Sequence, residues 1–143
     1  MRLTIPGKPR TQGSMTLWRG ADGAERAKYG DETKNHRNLV VGLAMQEWGG
    51  RPPLDGEVGV KIVANYVRPK HHFGTGRNAK VLKASAPARP TGRAYGDVDK
   101  VARLVLDALD IAGVYNDDSQ VVALAVEKAY AATPNTEVLV VAL

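Results

Sequence analysis

A helical pattern of apolar residues, with pairs of aspartates on both sides of it, constrains the fold of this chain more than any other feature. The apolar positions recur every three or four residues, which puts them on one face of a helix from about Lys100 to Ala112: Val101, Leu104, Val105, Ala108 and Leu109. Asp97 and Asp99 stand before the helix, and Asp117 and Asp118 follow it. The segment therefore predicts a helix that packs on a core and carries carboxylates at both ends.

Strands and a further helix are predicted along the rest of the chain. Alternating or continuous apolar residues predict strands over 2–5, 58–67, from 121 onward and over 138–143. A helix is predicted from Asp31 or Thr33, either of which can cap it, to about Trp48, with its buried face formed by Leu39, Val40, Leu43, Ala44 and Trp48. The 143 residues therefore predict a single domain, 1–143, of the α/β (α+β) class: a mixed sheet of about four strands, two main helices and a long basic loop.

Charge is divided unevenly along the chain. Residues 1–96 hold 17 Lys and Arg against 7 Asp and Glu, whereas residues 97–143 hold 3 against 8. No acid occurs between Glu57 and Asp97, and this interval contains a flexible basic loop of about 69–95. A basic field attracts a phosphate polymer, although a solvated basic surface is the alternative. The cations expected to bind DNA are Arg68, Lys70, Arg77, Lys80, Lys83, Arg89 and Arg93.

The aspartates are candidate metal ligands. Asp97 and Asp99, two residues apart, face one side of an extended segment, and Asp99 can also cap the helix that follows. Asp118 joins them only if the chain turns back along the helix, which the sequence permits but does not require. Three carboxylates without cysteine or a suitable histidine pair favour Mg²⁺ or Mn²⁺. Two such ions about 3.5–4 Å apart can activate water and stabilise the leaving oxygen of a phosphodiester.

Composition excludes several other classes. The chain contains no cysteine, so disulfides, thiolate catalysis and cysteine-bound zinc are excluded. No apolar run approaches the roughly 20 residues that a membrane-spanning helix needs, and the N-terminus lacks the apolar core of a signal peptide. We therefore expect a cytoplasmic protein with no membrane partner.

The run GDVDKVARLVLDALDIAGVYNDDSQVVALAVEKAY, residues 96–130, resembles the core of the RusA family of Holliday junction resolvases. The upstream RPKHHFGTGRN and the long loop after it are similar to the phage branch of that family, which is common in phages and prophages. The resemblance implies a homodimer with an α/β fold. It also implies a Mg²⁺-dependent endonuclease that makes paired nicks across a four-way DNA junction in recombination and repair, in the bacterial cytoplasm.

The same resemblance assigns roles to individual residues. The metal-binding aspartates of the family fall on Asp97, Asp99 and Asp118, with Asp117 in support. A functional lysine of the family falls on Arg103, which keeps the charge but cannot serve as a proton donor or acceptor, so Lys100 one turn earlier can share its task. The catalytic residues expected are Asp97, Asp99, Lys100, Arg103 and Asp118, with no cofactor besides the metal.

Three alternatives remain open on the residues alone. The aspartates can be structural caps of a non-catalytic DNA-binding protein. Asp97 and Asp99 can instead hold a metal–diphosphate in a nucleotidyl- or glycosyltransferase. Arg103 can be an ordinary helix-surface ion pair with Asp99 or Asp107.

Overall fold

A mixed four-stranded sheet forms the centre of the protein. The structure is a computed structural model that describes residues 1–13, 16–28 and 30–143. The strands of the sheet lie in the order β1 (Arg2–Pro6), β6 (Asn135–Ala142), β4 (Val58–Val67) and β5 (Val121–Ala131). β6 is antiparallel to both β1 and β4, whereas β4 and β5 are parallel. A separate hairpin joins β2 (Thr16–Arg19) to β3 (Glu25–Lys28).

Two helices pack against one face of this sheet, which confirms the expected fold class. They are α1 (Asp31–Trp48) and α2 (Val98–Ile111), and they contact each other, with α1 also on β1 and α2 on β5. The helix-facing side of β4 is buried throughout, and so is the face of α2 that the sequence predicts. The core therefore lies between the sheet and the helices. None of the helices described is both long and apolar enough to pass through a bilayer.

The buried face of α1 differs in part from the prediction. Val40, Ala44 and Trp48 are buried at a spacing of four residues, but Leu39 is 42% exposed. Adjacent residues on a helix are about 100° apart, so a stripe centred on Val40 leaves Leu39 at its solvent edge. Neither Asp31 nor Thr33 caps this helix, because Gly30 occupies the N-cap position and both residues lie inside the first turns.

Both ends of α2 are defined by short-range contacts. Asp97 is the N-cap residue, and Asp99 lies in the first helical turn, so the prediction that Asp99 caps the helix is wrong. At the other end, the Gly113 N–H donates to the Asp110 carbonyl at 2.9 Å, and the Val114 N–H donates to the Leu109 carbonyl at 3.1 Å. This paired closure needs a left-handed residue, which Gly113 supplies with φ +68°.

The loop between β4 and α2 is built from short turns. Three 3₁₀ turns occupy Lys70–His72, Gly76–Asn78 and Arg93–Tyr95. Its first half is cross-linked by backbone bonds, with the Lys83 N–H donating to the His72 carbonyl at 2.9 Å. The last turn leads through Gly96 directly into Asp97, so the end of the loop sets the position of the first aspartate.

β5 is an edge strand of the sheet, hydrogen-bonded to β4 on one side. Its first half is apolar and exposed: Val122 is 59% and Leu124 47% accessible. Val141 and Leu143 at the end of the chain are exposed nearby and line a shallow groove with Leu124. We call these four residues the β5 apolar patch.

Candidate active site

Asp97 and Asp99 stand at the start of α2 with exposed side chains. Asp97 is extended, with φ −94° and ψ 142°, and its carboxylate accepts no capping hydrogen bond from the helix. The structure therefore brings the first two predicted ligands to the same helix end. Asp97 thus occupies the N-cap position, but its carboxylate is left available for another partner.

Lys100 already places a positive charge on Asp97. Its Nζ lies 2.7 Å from Asp97 Oδ2, one helical turn away. The hydrogen bond and charge of Lys100, with a smaller contribution from the charge of Lys128, hold the pKa of Asp97 below its usual 3.8. The carboxylate is therefore ionised at neutral pH, as a metal ligand must be.

Lys128 on β5 is a second cation at this site, and the sequence interpretation did not include it. Its Nζ donates to the Gly96 carbonyl at 3.0 Å, one residue before Asp97. Lys128 lies opposite Ala64 of β4, on the strand face that also carries Val126 and Tyr130. In the sequence, only the position of a lysine on the buried side of a predicted strand pointed to a role for Lys128. Its contact with Gly96 depends on the parallel pairing of β4 and β5, which is a long-range feature.

Aromatic side chains hold the backbone just before Asp97. The Tyr66 hydroxyl donates to the Tyr95 carbonyl at 2.7 Å, and the two rings pack edge to face at 5.0 Å. Gly96 has φ +65°, and a Cβ built on it would lie 2.3 Å from Thr11 Cγ2. Gly96 is therefore required both by its conformation and by the close approach of Thr11.

Arg103 lies one turn beyond Lys100 and is exposed. Residues three apart on a helix are neighbours on its surface, so Lys100 and Arg103 lie on the same side of α2. The structure thus brings Asp97, Asp99, Lys100 and Arg103 together along the first two turns of one helix.

A second acidic cluster lies at the opposite end of α2. Asp118 is exposed at the start of a 3₁₀ turn, Asp118–Gln120. The pKa of Asp110, in the last turn of α2, is raised by loss of hydration and by the negative charges of Asp118, Asp117 and Asp107. These carboxylates therefore share one electrostatic environment.

Asp117 has a structural task in this cluster. Its Oδ1 accepts from the Ser119 N–H at 2.8 Å, while Gln120 Oε1 accepts from the Asp117 N–H at 3.1 Å. This reciprocal capping box fixes the turn, and the Ser119 hydrogen bond holds the pKa of Asp117 below its ordinary value. Asp117 therefore fixes the turn on which Asp118 lies.

Within one chain, Asp118 does not meet Asp97 and Asp99. The helix between Asp99 and Asp110 spans eleven residues, or about 16 Å at 1.5 Å per residue, and Asp118 lies at the far end. Among the residues that the structure describes, no three acids or histidines come close enough to hold a metal ion. In this chain α2 therefore holds the Asp97–Asp99 pair and Asp118 apart, and their assembly into one metal site stays a prediction.

The predicted DNA-binding cations fall into two groups. Three are engaged within the protein: Arg68 stacks over Tyr130 and donates to the Pro87 carbonyl, Lys83 donates to the His71 carbonyl, and Arg89 pairs with Glu127. The other four lie exposed on the loop or at its ends, and their side chains have no hydrogen bond or ion pair to any residue that the structure describes: Lys70, Arg77, Lys80 and Arg93. These four are the better placed to bind a polymer, whereas Arg68 and Arg89 also anchor the loop to the sheet.

Carboxylates and lysines beside a cationic loop are typical of enzymes that act on nucleic-acid phosphodiesters. The family model Endodeoxyribonuclease RusA matches residues 6–141. The chain belongs to the RusA family, so it is an endodeoxyribonuclease, and the resemblance seen in the sequence is confirmed. The family acts on DNA junctions, which makes branched DNA its partner. A search of the curated proteins found none that matches the chain.

Proposed function

We propose that the chain is a Mg²⁺-dependent endonuclease that resolves four-way DNA junctions by paired nicks during recombination and repair. The observation that carries this proposal is the pair of exposed carboxylates, Asp97 and Asp99, with a cation already bound to Asp97. Membership of an endodeoxyribonuclease family favours this reading over a non-catalytic DNA-binding protein.

The donor set fits a hard divalent cation. Asp97, Asp99 and Asp118 offer only oxygen ligands, which suit Mg²⁺, with Mn²⁺ as a substitute. The ammonium of Lys100 on Asp97 stands in for such a cation. When bound, Mg²⁺ would activate water and stabilise charge on the leaving oxygen.

The cations of α2 would then act on the DNA. With a divalent cation bound at Asp97, Lys100 would leave the carboxylate, because two cations at one ligand repel each other. Lys100 and Arg103, on the same side of the helix, can turn to the phosphate that is cut. Arg103 stays protonated in every state, so its part is to bind phosphate and not to move a proton.

A second copy of the chain would complete the metal site. Asp118 lies near Asp110, and Asp110 is about 16 Å from Asp99 along the axis of α2, so the third carboxylate would come from another chain. A closed two-fold dimer supplies it twice and gives two equivalent sites, as two nicks across a symmetric junction require.

The free edge of β5 supports such a dimer. In an antiparallel pairing of two β5 strands, a two-fold axis between Ala123 and Leu124 puts Lys128 of one chain opposite Ser119 of the other. Lys128 lies beside Gly96 and Asp97, so Asp118 of the second copy would arrive at the Asp97 end. The same axis passes through the β5 apolar patch, where Val122 and Leu124 are exposed.

Cleavage of a synthetic four-way junction with and without Mg²⁺ tests the function. Asp97→Asn, Asp99→Asn and Asp118→Asn should each abolish cleavage and keep junction binding, because each removes a ligand but no cation. Glu47→Gln removes one exposed charge from the end of α1 and should cleave at the wild-type rate. Wild-type cleavage by any of the three Asn variants would remove that residue from the site.

Mixed dimers separate a shared site from one built within a chain. Asp97→Asn and Asp118→Asn chains are each inactive alone. In a shared site, their mixed dimer has one site with both substitutions and one intact site, so mixing should restore a single nick. If no activity returns after subunit exchange has been verified, each chain has its own site and the β5 arrangement is wrong.

A further inference from the structure

Lys128 is the one lysine, among those that the structure describes, whose ammonium donates to a backbone carbonyl next to Asp97. It is half-buried on the helix-facing side of β5, and its Nζ bonds to the Gly96 carbonyl at 3.0 Å. That carbonyl belongs to the peptide unit that begins Asp97. The bond to the Gly96 carbonyl therefore holds the Lys128 ammonium beside Asp97, the first proposed metal ligand.

Lys128 and Lys100 differ in what holds them. Lys100 is bound to the Asp97 carboxylate itself, so a divalent cation competes with it. Lys128 is bound to a neutral carbonyl, which a metal on Asp97 does not need to displace. An ammonium has three N–H donors, so one can stay on Gly96 while others serve a second acceptor.

The surroundings of Lys128 favour an anion as that acceptor. The Tyr66 hydroxyl donates to the Tyr95 carbonyl, and the two rings pack edge to face, so the residue before Gly96 is anchored to β4. The bond from Lys128 to the Gly96 carbonyl then orients the ammonium before the DNA arrives. A charge held in place in this way stabilises a transition state better than a mobile surface lysine does. A compact ammonium also suits a single phosphate oxygen, whereas the guanidinium of Arg103 is a broad planar group.

We propose that Lys128 is a further catalytic residue, which contacts the phosphate group that is cut at the Asp97 site. The inference rests on the proposed nuclease function. It adds a phosphate ligand from β5 to the residues of α2, so that the reacting group is held between a strand and a helix of one chain.

The test compares Lys128→Met with Lys61→Met in the same assays. Lys61 is on β4, on the opposite face of the sheet, and its Nζ pairs with Glu127 at 3.3 Å. Both variants lose one charge from the same sheet. Lys128→Met should lower the single-turnover cleavage rate at saturating junction by about 100-fold or more, the effect of removing one transition-state donor, whereas Lys61→Met should not change it.

Binding gives a readout that is independent of cleavage. Without divalent cation, Lys128→Met should reduce the slope of log K against log salt by about 0.9, as expected for one phosphate contact, and Lys61→Met should leave it unchanged. Thermal unfolding verifies that both variants are folded. If Lys128→Met does not fold, Lys128→Arg serves in its place, and it should keep the salt slope but recover only part of the rate.

Chemical rescue separates charge from structure. The chain has no cysteine, so the Lys128→Cys variant carries one thiol. Its thiolate displaces bromide from 2-bromoethylamine under denaturing conditions, and the refolded product carries an ammonium at lysine length. This product should regain cleavage, whereas alkylation with iodoacetamide should not.

The outcomes distinguish the two levels of the proposal. If the wild-type chain does not cut a four-way junction with Mg²⁺, the proposed function fails. If the wild-type chain cuts, but Lys128→Met cuts and binds like Lys61→Met, the function stands and the assignment of Lys128 is overturned. Equal recovery with the neutral alkylated product would also overturn it.

Discussion

Gly96→Ala should damage both the fold and the active site, because the residue before Asp97 has no room for a side chain. Gly96 has φ +65° and ψ −179°, a region that is essentially restricted to glycine, and a non-glycine residue there costs about 1–3 kcal/mol. The new Cβ would also lie 2.3 Å from Thr11 Cγ2. Overpacking of this kind costs about 1–3 kcal/mol, so the free energy of unfolding should fall by about 2–6 kcal/mol in total.

Thr11 cannot simply move away. The next residue, Gln12, is buried, its N–H donates to the Lys100 carbonyl at 2.9 Å, and its side chain donates to Asp107. The strain should therefore fall on the segment at Gly96. Since this segment carries Asp97, junction cleavage should decrease more than the loss of folded protein explains.

Urea unfolding at one fixed protein concentration measures the effect, because the unfolding of the proposed dimer would depend on concentration. Combining Thr11→Ser with Gly96→Ala removes Cγ2 of residue 11. The double variant should regain the part of the free energy of unfolding that is lost to overpacking, whereas the part lost to backbone strain should remain lost. Gly92→Ala is the matched control: φ is +108° and the space around its Cβ is open, so backbone strain alone should appear. The reasoning is refuted if Gly96→Ala is as stable as the wild type, or if Thr11→Ser recovers nothing.

Three further predictions concern charge. Neutralising Arg77 and Lys80 should weaken junction binding and flatten its salt dependence by about 0.9 per lost phosphate contact; an unchanged slope in a fluorescence-anisotropy titration would exclude them from the DNA surface. Lys100→Met should lower the Mg²⁺ concentration for half-maximal cleavage by about two- to fivefold, the range for one exposed ion pair, because a competing cation is gone; a higher requirement would contradict this. The hydrogen bond from Arg89 holds the pKa of Glu127 below its ordinary 4.5, so its stabilising effect is present above pH 4.5 and is lost as pH falls through the folded pKa. Urea unfolding should therefore show a difference between wild type and Glu127→Gln at pH 6 that shrinks below pH 4.5, and a constant difference would count against the ion pair.

Local patterns in the sequence predicted most of the fold. The bounds of α1 and β4 agree with the structure because each is closed by strong local signals, Gly49 after Trp48 and Pro69 soon after Val67. β6 begins at Asn135, three residues before the prediction, because pairing with β1 extends it beyond its apolar run. Leu39 was misplaced because the packing of α1 on α2 and β1, not its own periodicity, decides which side is buried.

The candidate site was only partly accessible from the sequence. Asp97 and Asp99 are close in sequence, so local geometry brings them together. Asp118 depends on how far α2 extends, and the short connection after it leaves Asp118 at the far end. Lys128 depends on the parallel register of β4 and β5, which pairs Ala64 with Lys128 across a sequence separation of 64 residues. Such pairings have no local signature.

The uneven distribution of charge along β5 has a consequence for the solubility of the isolated chain. Glu127 and Lys128 place charges on both faces of the second half of the strand, whereas residues 121–126 have none. An exposed apolar strand edge is a template for pairing with any other strand, and natural proteins protect such edges with charges. Val122 and Leu124 contribute little to the core because they are exposed, so polar substitutions there should leave the fold intact. We therefore expect a chain whose β5 edge is unpaired to aggregate by sheet extension, and polar substitutions at these two residues should reduce that aggregation.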